Sequence, residues 1–168
     1  MKQEVASFLD YVAHSPTVFQ ATQQACDMLD AAGFTRLSEH EAWEILPGGR
    51  YYVTRNRSAL VAFAVPENGF THCQIVASHG DSPTFKLKAH AEGEAAGAYI
   101  RLDVERYGGM IMSTWFDKPL SIAGRALVRE NGKLVTKLID LGRDAALIPN
   151  MPIHFNRDIN NGYSYNPQ

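Results

Sequence analysis

Hydrophobic periodicity in this chain changes character once and does not change back. Residues 3–14 place Val5, Phe8, Leu9 and Val12 at helical spacing. Ser15 then precedes Pro16, which stops that helix and opens the next. The second helix is expected to run to about Ala32, with Val18, Ala21, Ala25, Met28 and Leu29 on one face and Gly33 closing it. From there the period shortens to that of strands, and no helical pattern of useful length follows residue 97. The expected fold class is therefore α/β followed by all-β.

Within the β-rich part, Tyr51, Val53 and Arg55 alternate with Tyr52, Thr54 and Asn56, and Ala59 to Val65 is continuously apolar. Asn56-Arg57-Ser58 between them marks a hairpin. Ile75 to Ala77 is short and apolar, as a buried central strand would be, and ends at Ser78-His79-Gly80-Asp81-Ser82-Pro83. Thr84 to His90 alternates again. Glu92 to Gly97 is small, polar and glycine-flanked, a candidate boundary. Tyr99–Val104, Leu120–Val128 and Lys133–Asp140 are strand-like, the last two joined by the turn signal Asn131-Gly132. Ile148 to Gln168 carries three prolines, five asparagines and no clean period. It fits a polar tail and a chain cut short equally well.

An apolar share of 45% with 20% charged residues suits a soluble globular chain and argues against disorder. The net charge of -2, with Lys and Arg scattered, gives no basic face for nucleic acid or a membrane surface. No run approaches bilayer length, and MKQEVASFLD lacks the layout of a signal peptide. Cys26 and Cys73 have no paired spacing and read as buried thiols in a reducing compartment, with the cytoplasm as the default.

The segment richest in chemistry is His79-Gly80-Asp81. In extended backbone, residues two apart point to the same side. A neutral imidazole binds zinc through one nitrogen while the other is oriented by a hydrogen bond, often to a carboxylate, and Asp81 is placed to supply it or to position a catalytic base. Gly80 would let the backbone turn tightly and Pro83 stiffen the exit. A lone His-x-Asp triplet also arises by chance. A zinc site needs three or four protein ligands, and His14, His40, His72, His90 and His154 form no HxxxH or HExxH pattern. Any companions of His79 lie outside this chain or carry no recognisable spacing. Ser82 is too close to His79 and Asp81 for a triad, no GxSxG occurs, and Gly48-Gly49 and Gly108-Gly109 match no phosphate loop. Tyr107 to Leu120 (YGGMIMSTWFDKPL) reads either as a turn leading into core strands or as an interface or substrate-facing loop.

Four collinear segments, FLDYVAHSPTVFQA, ASHGDSP, YGGMIMSTWFDKPLSIAGR and IPNMPIHFNRDINNGYSYN, resemble the aspartyl aminopeptidases, which are dinuclear zinc exopeptidases. The resemblance implies that His79 is a zinc ligand and Asp81 the catalytic carboxylate beside it, with Gly80 where Thr is commoner. It implies a partial αβα-type catalytic domain over residues 1–90 and, from near 91 to 168, part of an inserted β-rich dimerisation domain. His154 would reach a neighbouring subunit's active site and contact substrate; the plainer reading is a surface-loop histidine. The implied cofactor is zinc, two ions per complete site, and the implied reaction is removal of N-terminal Asp or Glu from peptides by metal-activated water. Family members are considerably longer, and the missing ligands and the general base Glu would lie beyond Gln168. The expectation is thus a truncated chain, inactive alone, from a homo-oligomeric enzyme. The alternative is a non-catalytic self-association module of the same fold. Either way, exposed strand edges should make the isolated chain associate.

Overall fold

The computed structural model describes residues 2–162 together with Ser164 and Tyr165. Its helices are α1 (Gln3–Ala13) and α2 (Val18–Ala31), and its strands are β1 (Thr35–Leu37), β2 (Arg50–Arg55), β3 (Ala59–Ala64), β4 (Thr84–Ala95), β5 (Tyr99–Tyr107), β6 (Pro119–Leu120), β7 (Ala123–Glu130), β8 (Lys133–Asp140) and β9 (Ala146–Leu147). Two short 3-10 turns lie at Met112–Trp115 and Ile159–Asn161. The chain forms two compact units, Met1–Asp81 with Ile122–Gly142, and Ser82–Ser121 with Arg143–Gln168.

In the first unit, α2 is specified at both ends. The Thr17 side chain accepts the Phe19 N–H at 3.2 Å, satisfying one orphan donor of the first turn. At the other end Gly33 takes φ +76°, its N–H donates to the Asp30 carbonyl, and the Phe34 N–H donates to that of Leu29. Those two bonds together make a Schellman motif. The sheet order is β1-β2-β3, with β1 parallel to β2 and β2 antiparallel to β3. Asn56 and Arg57 at the β2–β3 turn both have φ above +50°, which matches the right-handed twist of a tight hairpin.

The core sits where α2 meets this sheet. Tyr52 is completely buried, and Cys26 and Tyr51 are nearly so. The Tyr52 hydroxyl donates to Asp30 Oδ1 at 2.7 Å, tying strand to helix. Burial, then the hydrogen bond to Asp30 and its negative charge, push the Tyr52 phenol up to about 12; burial likewise pushes the Cys26 thiol upward.

The β7–β8 hairpin turns at Asn131-Gly132, both with positive φ, and docks on α2. The buried Gln20 amide donates to the carbonyls of Ile139 at 2.9 Å and Gly124 at 3.4 Å. Arg125 lies 4.1 Å from the Phe19 ring centroid and donates to the backbone oxygen of Asn56 at 2.7 Å.

In the second unit, β4 and β5 pair antiparallel around a turn at Ala96-Gly97, with a register shift between Leu87 and Glu92. Phe85 meets Trp115 edge to face at 5.2 Å. β6 pairs with β9, and Phe116 bridges Ile148.

Two expectations are corrected. Ile75–Ala77 is not a strand, and Ile75 and Val76 are 82% and 96% exposed. A central strand takes its hydrogen bonds from neighbours on both sides, and among the described residues nothing pairs with 74–83. Cys73, just before it, is exposed for the same reason, whereas Cys26 is buried as expected. Glu92–Ala95 belongs to β4, which continues through this glycine-flanked stretch to the turn at Ala96-Gly97. Its Ala91, Gly93 and Ala95 are half-buried while Glu92 and Glu94 face outward, an alternation muted by small side chains. The coarse expectation of helices followed by β-sheet structure stands.

Candidate functional site

The 74–83 segment leaves β3 without pairing and carries His79 and Asp81 at its end. His79 Nδ1 stands 2.7 Å from Asp81 Oδ1 and 2.8 Å from the Asp81 backbone oxygen. Both neighbours are acceptors when the carboxylate is ionised, so Nδ1 carries the proton and donates. In the neutral ring Nε2 then holds the lone pair. That is the tautomer a ligand binding through Nε2 requires, fixed by the second-sphere contact that orients metal-binding histidines. The imidazole is 80% exposed and the Asp81 side chain 26%.

Gly80 is not needed for a tight turn. Its φ is not positive, and a Cβ there would meet only Val18 Cγ2, at 3.9 Å, which is ordinary contact. A side chain at position 80 fits without disturbing the flanking pair.

Among the described residues no group of three or more His, Cys, Asp or Glu side chains is placed to hold a metal ion. The His79–Asp81 pair fits one arm of a zinc site and not a whole one.

His154 belongs to the second unit, exposed in the turn where the Phe155 N–H donates to the Pro152 carbonyl at 2.9 Å. The same stretch leaves Met151, Ile153 and Phe155 exposed. It is anchored through Asp117, a residue passed over in the sequence although its segment, 107–120, stood out. The Asp117 carboxylate accepts the Asn150 N–H at 2.9 Å, and its own N–H donates to the Ile148 carbonyl at 3.0 Å. Asp117 adopts φ +54°, a conformation that Asp and Asn tolerate better than most residues. An Asp two residues before Pro119 was the available signal for such a turn.

The family model for aminopeptidase I zinc metalloproteases (M18) matches residues 11–168. This chain belongs to the M18 aminopeptidase family. A probable M18 family aminopeptidase 2 from Clostridium acetobutylicum is 42% identical over 178 residues, covering 100% of this chain and 40% of the relative. Among solved structures, a chain of the Ape4 and Nbr1 complex superposes with a TM-score of 0.89 at 38% identity, over 96% of this chain and 31% of that one. The mApe1 dodecamer of S. cerevisiae gives 0.79 at 28% identity, over 89% and 36%. The M18 chain thus spans about 40% of the length of the curated relatives it matches. Its family is one of zinc metallopeptidases, and the matched region contains His79, Asp81 and His154.

Proposed function

We propose that this chain is the N-terminal part of a zinc aminopeptidase that removes acidic residues from peptide N-termini. His79 supplies one zinc ligand through Nε2. Asp81 holds that ring's tautomer and is the catalytic carboxylate of the pair. His154 contacts the substrate from a neighbouring subunit. Residues 1–90 belong to the catalytic domain and 91–168 to an inserted β-rich dimerisation domain. The remaining ligands of a two-zinc centre and the general base are supplied by residues outside this chain, so the 168 residues alone are inactive. The zinc centre supplies an activated water and polarises the scissile carbonyl. The contribution of the residues present is to hold a deprotonated Nε2 outward. The observation that carries the reading is the 2.7 Å contact between His79 Nδ1 and Asp81 Oδ1 in a chain of this family.

A homo-oligomer follows by analogy with the dodecamer of the related mApe1. The absence of any helix long and apolar enough to cross a membrane, among the described residues, is compatible with a soluble enzyme. Two cysteines without a disulfide suit the reducing cytoplasm.

The test is turnover of Asp-, Glu- and Leu-anilide substrates by the full-length protein. Hydrolysis favouring the acidic residues is expected. In His79→Ala it should fall by more than about a thousandfold, as when members of an interdependent catalytic set are removed. A full-length protein that cleaves Leu substrates best would overturn the acidic preference, and wild-type turnover in His79→Ala would overturn the ligand role.

A second reading, self-association without catalysis, is favoured by one feature: Ile75, Val76, Tyr99 and Ile100 are all more than 70% exposed. It predicts oligomers of the 168-residue chain in light scattering; a monomer at high concentration argues against it.

A further inference from the structure

The stretch carrying His154 leaves and returns to the same dipeptide. At its start, Asp117 clamps residues 148–150 at two points, through the Ile148 carbonyl and the Asn150 N–H. Asn150 passes the constraint on, since its Oδ1 accepts the Met151 N–H at 3.0 Å. The next residue, Pro152, accepts from Phe155 and closes the turn in which His154 sits. At the far end, Tyr165 stacks on Phe116, with centroids 5.8 Å apart and planes within 8°. Residues 151–162 are therefore part of an arm whose two feet stand on Phe116 and Asp117. The strained φ of Asp117 directs its N–H and its carboxylate onto the same partner stretch. Strain of this kind concentrates where a geometry is being held for use.

We propose that Asp117 is a positioning residue for the His154 arm. It fixes the foot nearest His154, four residues upstream of the imidazole, and so sets where that imidazole meets substrate. The proposal rests on the reading of His154 as a substrate contact.

The experiment uses the full-length enzyme in its native oligomer and compares Asp117→Ala, Asp117→Asn, His154→Ala and the Asp117→Ala/His154→Ala double variant on an acidic substrate. Asp117→Ala should raise KM about tenfold with kcat little changed, the pattern of lost binding rather than lost chemistry. Asp117→Asn should return most of the loss, because Asn keeps the acceptor oxygen and tolerates the left-handed backbone. In the His154→Ala background, Asp117→Ala should add less than about twofold, since the two act through one arm. If Asp117→Ala does not fold, Asp117→Gly permits the left-handed backbone without a Cβ penalty while removing the carboxylate acceptor, and carries the same expectation. A raised KM in His154→Ala with a normal KM in Asp117→Ala overturns the positioning role and leaves the His154 contact standing. A normal KM in His154→Ala overturns the contact itself, and the proposal with it. Effects that multiply in the double variant place the action of Asp117 elsewhere and overturn the proposal.

Discussion

The stretch from α2 to β3 and the stretch from 74 to 81 belong to one compact unit, and both carry apolar runs. In the first, the devices needed for order lie within the stretch itself. Thr17 and Gly33 bound the helix, a short turn with positive φ at Asn56 and Arg57 sets the hairpin register, and Tyr52 buries its ring while its hydroxyl reaches Asp30. In the second, Ile75 and Val76 are as apolar as any core residue and yet face solvent. Apolar character makes a segment suited to burial but does not supply the neighbours that bury it. The His79–Asp81 contact survives in this setting because it spans only two residues. A site needing ligands from several elements does not assemble in the same way.

The largest blow to that contrast is Tyr52→Ala. Removing a fully buried aromatic should cost about 3–5 kcal/mol and unfold the first unit in urea at concentrations the wild type resists; a loss below about 1 kcal/mol would mean the α2–sheet core is not the stabilising centre. The same residue gives a pH signature. Its ordinary value is 10.0 and its folded value about 12. The folded state therefore holds a proton that the unfolded state releases. This contribution is fully present below pH 10 and is lost as pH rises through 12. The melting temperature should fall across that window and fall less steeply in Tyr52→Phe, which has no phenol to ionise.

A smaller effect is expected from Gln20→Ala, which leaves the Gly124 and Ile139 carbonyls without their donor. The cost should be about 1–3 kcal/mol, with faster hydrogen exchange in β7 and β8 than in β2. Uniform acceleration of all three strands would show that the hairpin is not separately bolted. Smallest of all is Val76→Ser in the 168-residue chain. An exposed substitution should move stability by no more than about 0.5 kcal/mol in the same urea titration, whereas a loss of several kcal/mol would show that the segment is buried after all.

How much of this was legible in the sequence follows the same line. The two helices, the hairpin turns at Asn56-Arg57 and Asn131-Gly132 and the closing Gly33 are written in residues close to where they act. The His79–Asp81 contact was legible for the same reason, from a spacing of two. Ile75–Ala77 misled because apolar composition says nothing about whether paired strands are at hand. The end of β4 was obscured because Ala91, Gly93 and Ala95 alternate without bulk. Asp117 was missed because its value lies in a contact 33 residues away.

The most direct test of the central claim, that His79 and Asp81 form one arm of a metal site completed elsewhere, is zinc titration by calorimetry of the 168-residue chain beside the full-length protein. Tight stoichiometric binding is predicted for the full-length protein, reduced in its His79→Ala variant, with no tight site in the 168-residue chain. Stoichiometric, tight zinc in the 168-residue chain, unaffected by His79→Ala, would contradict it.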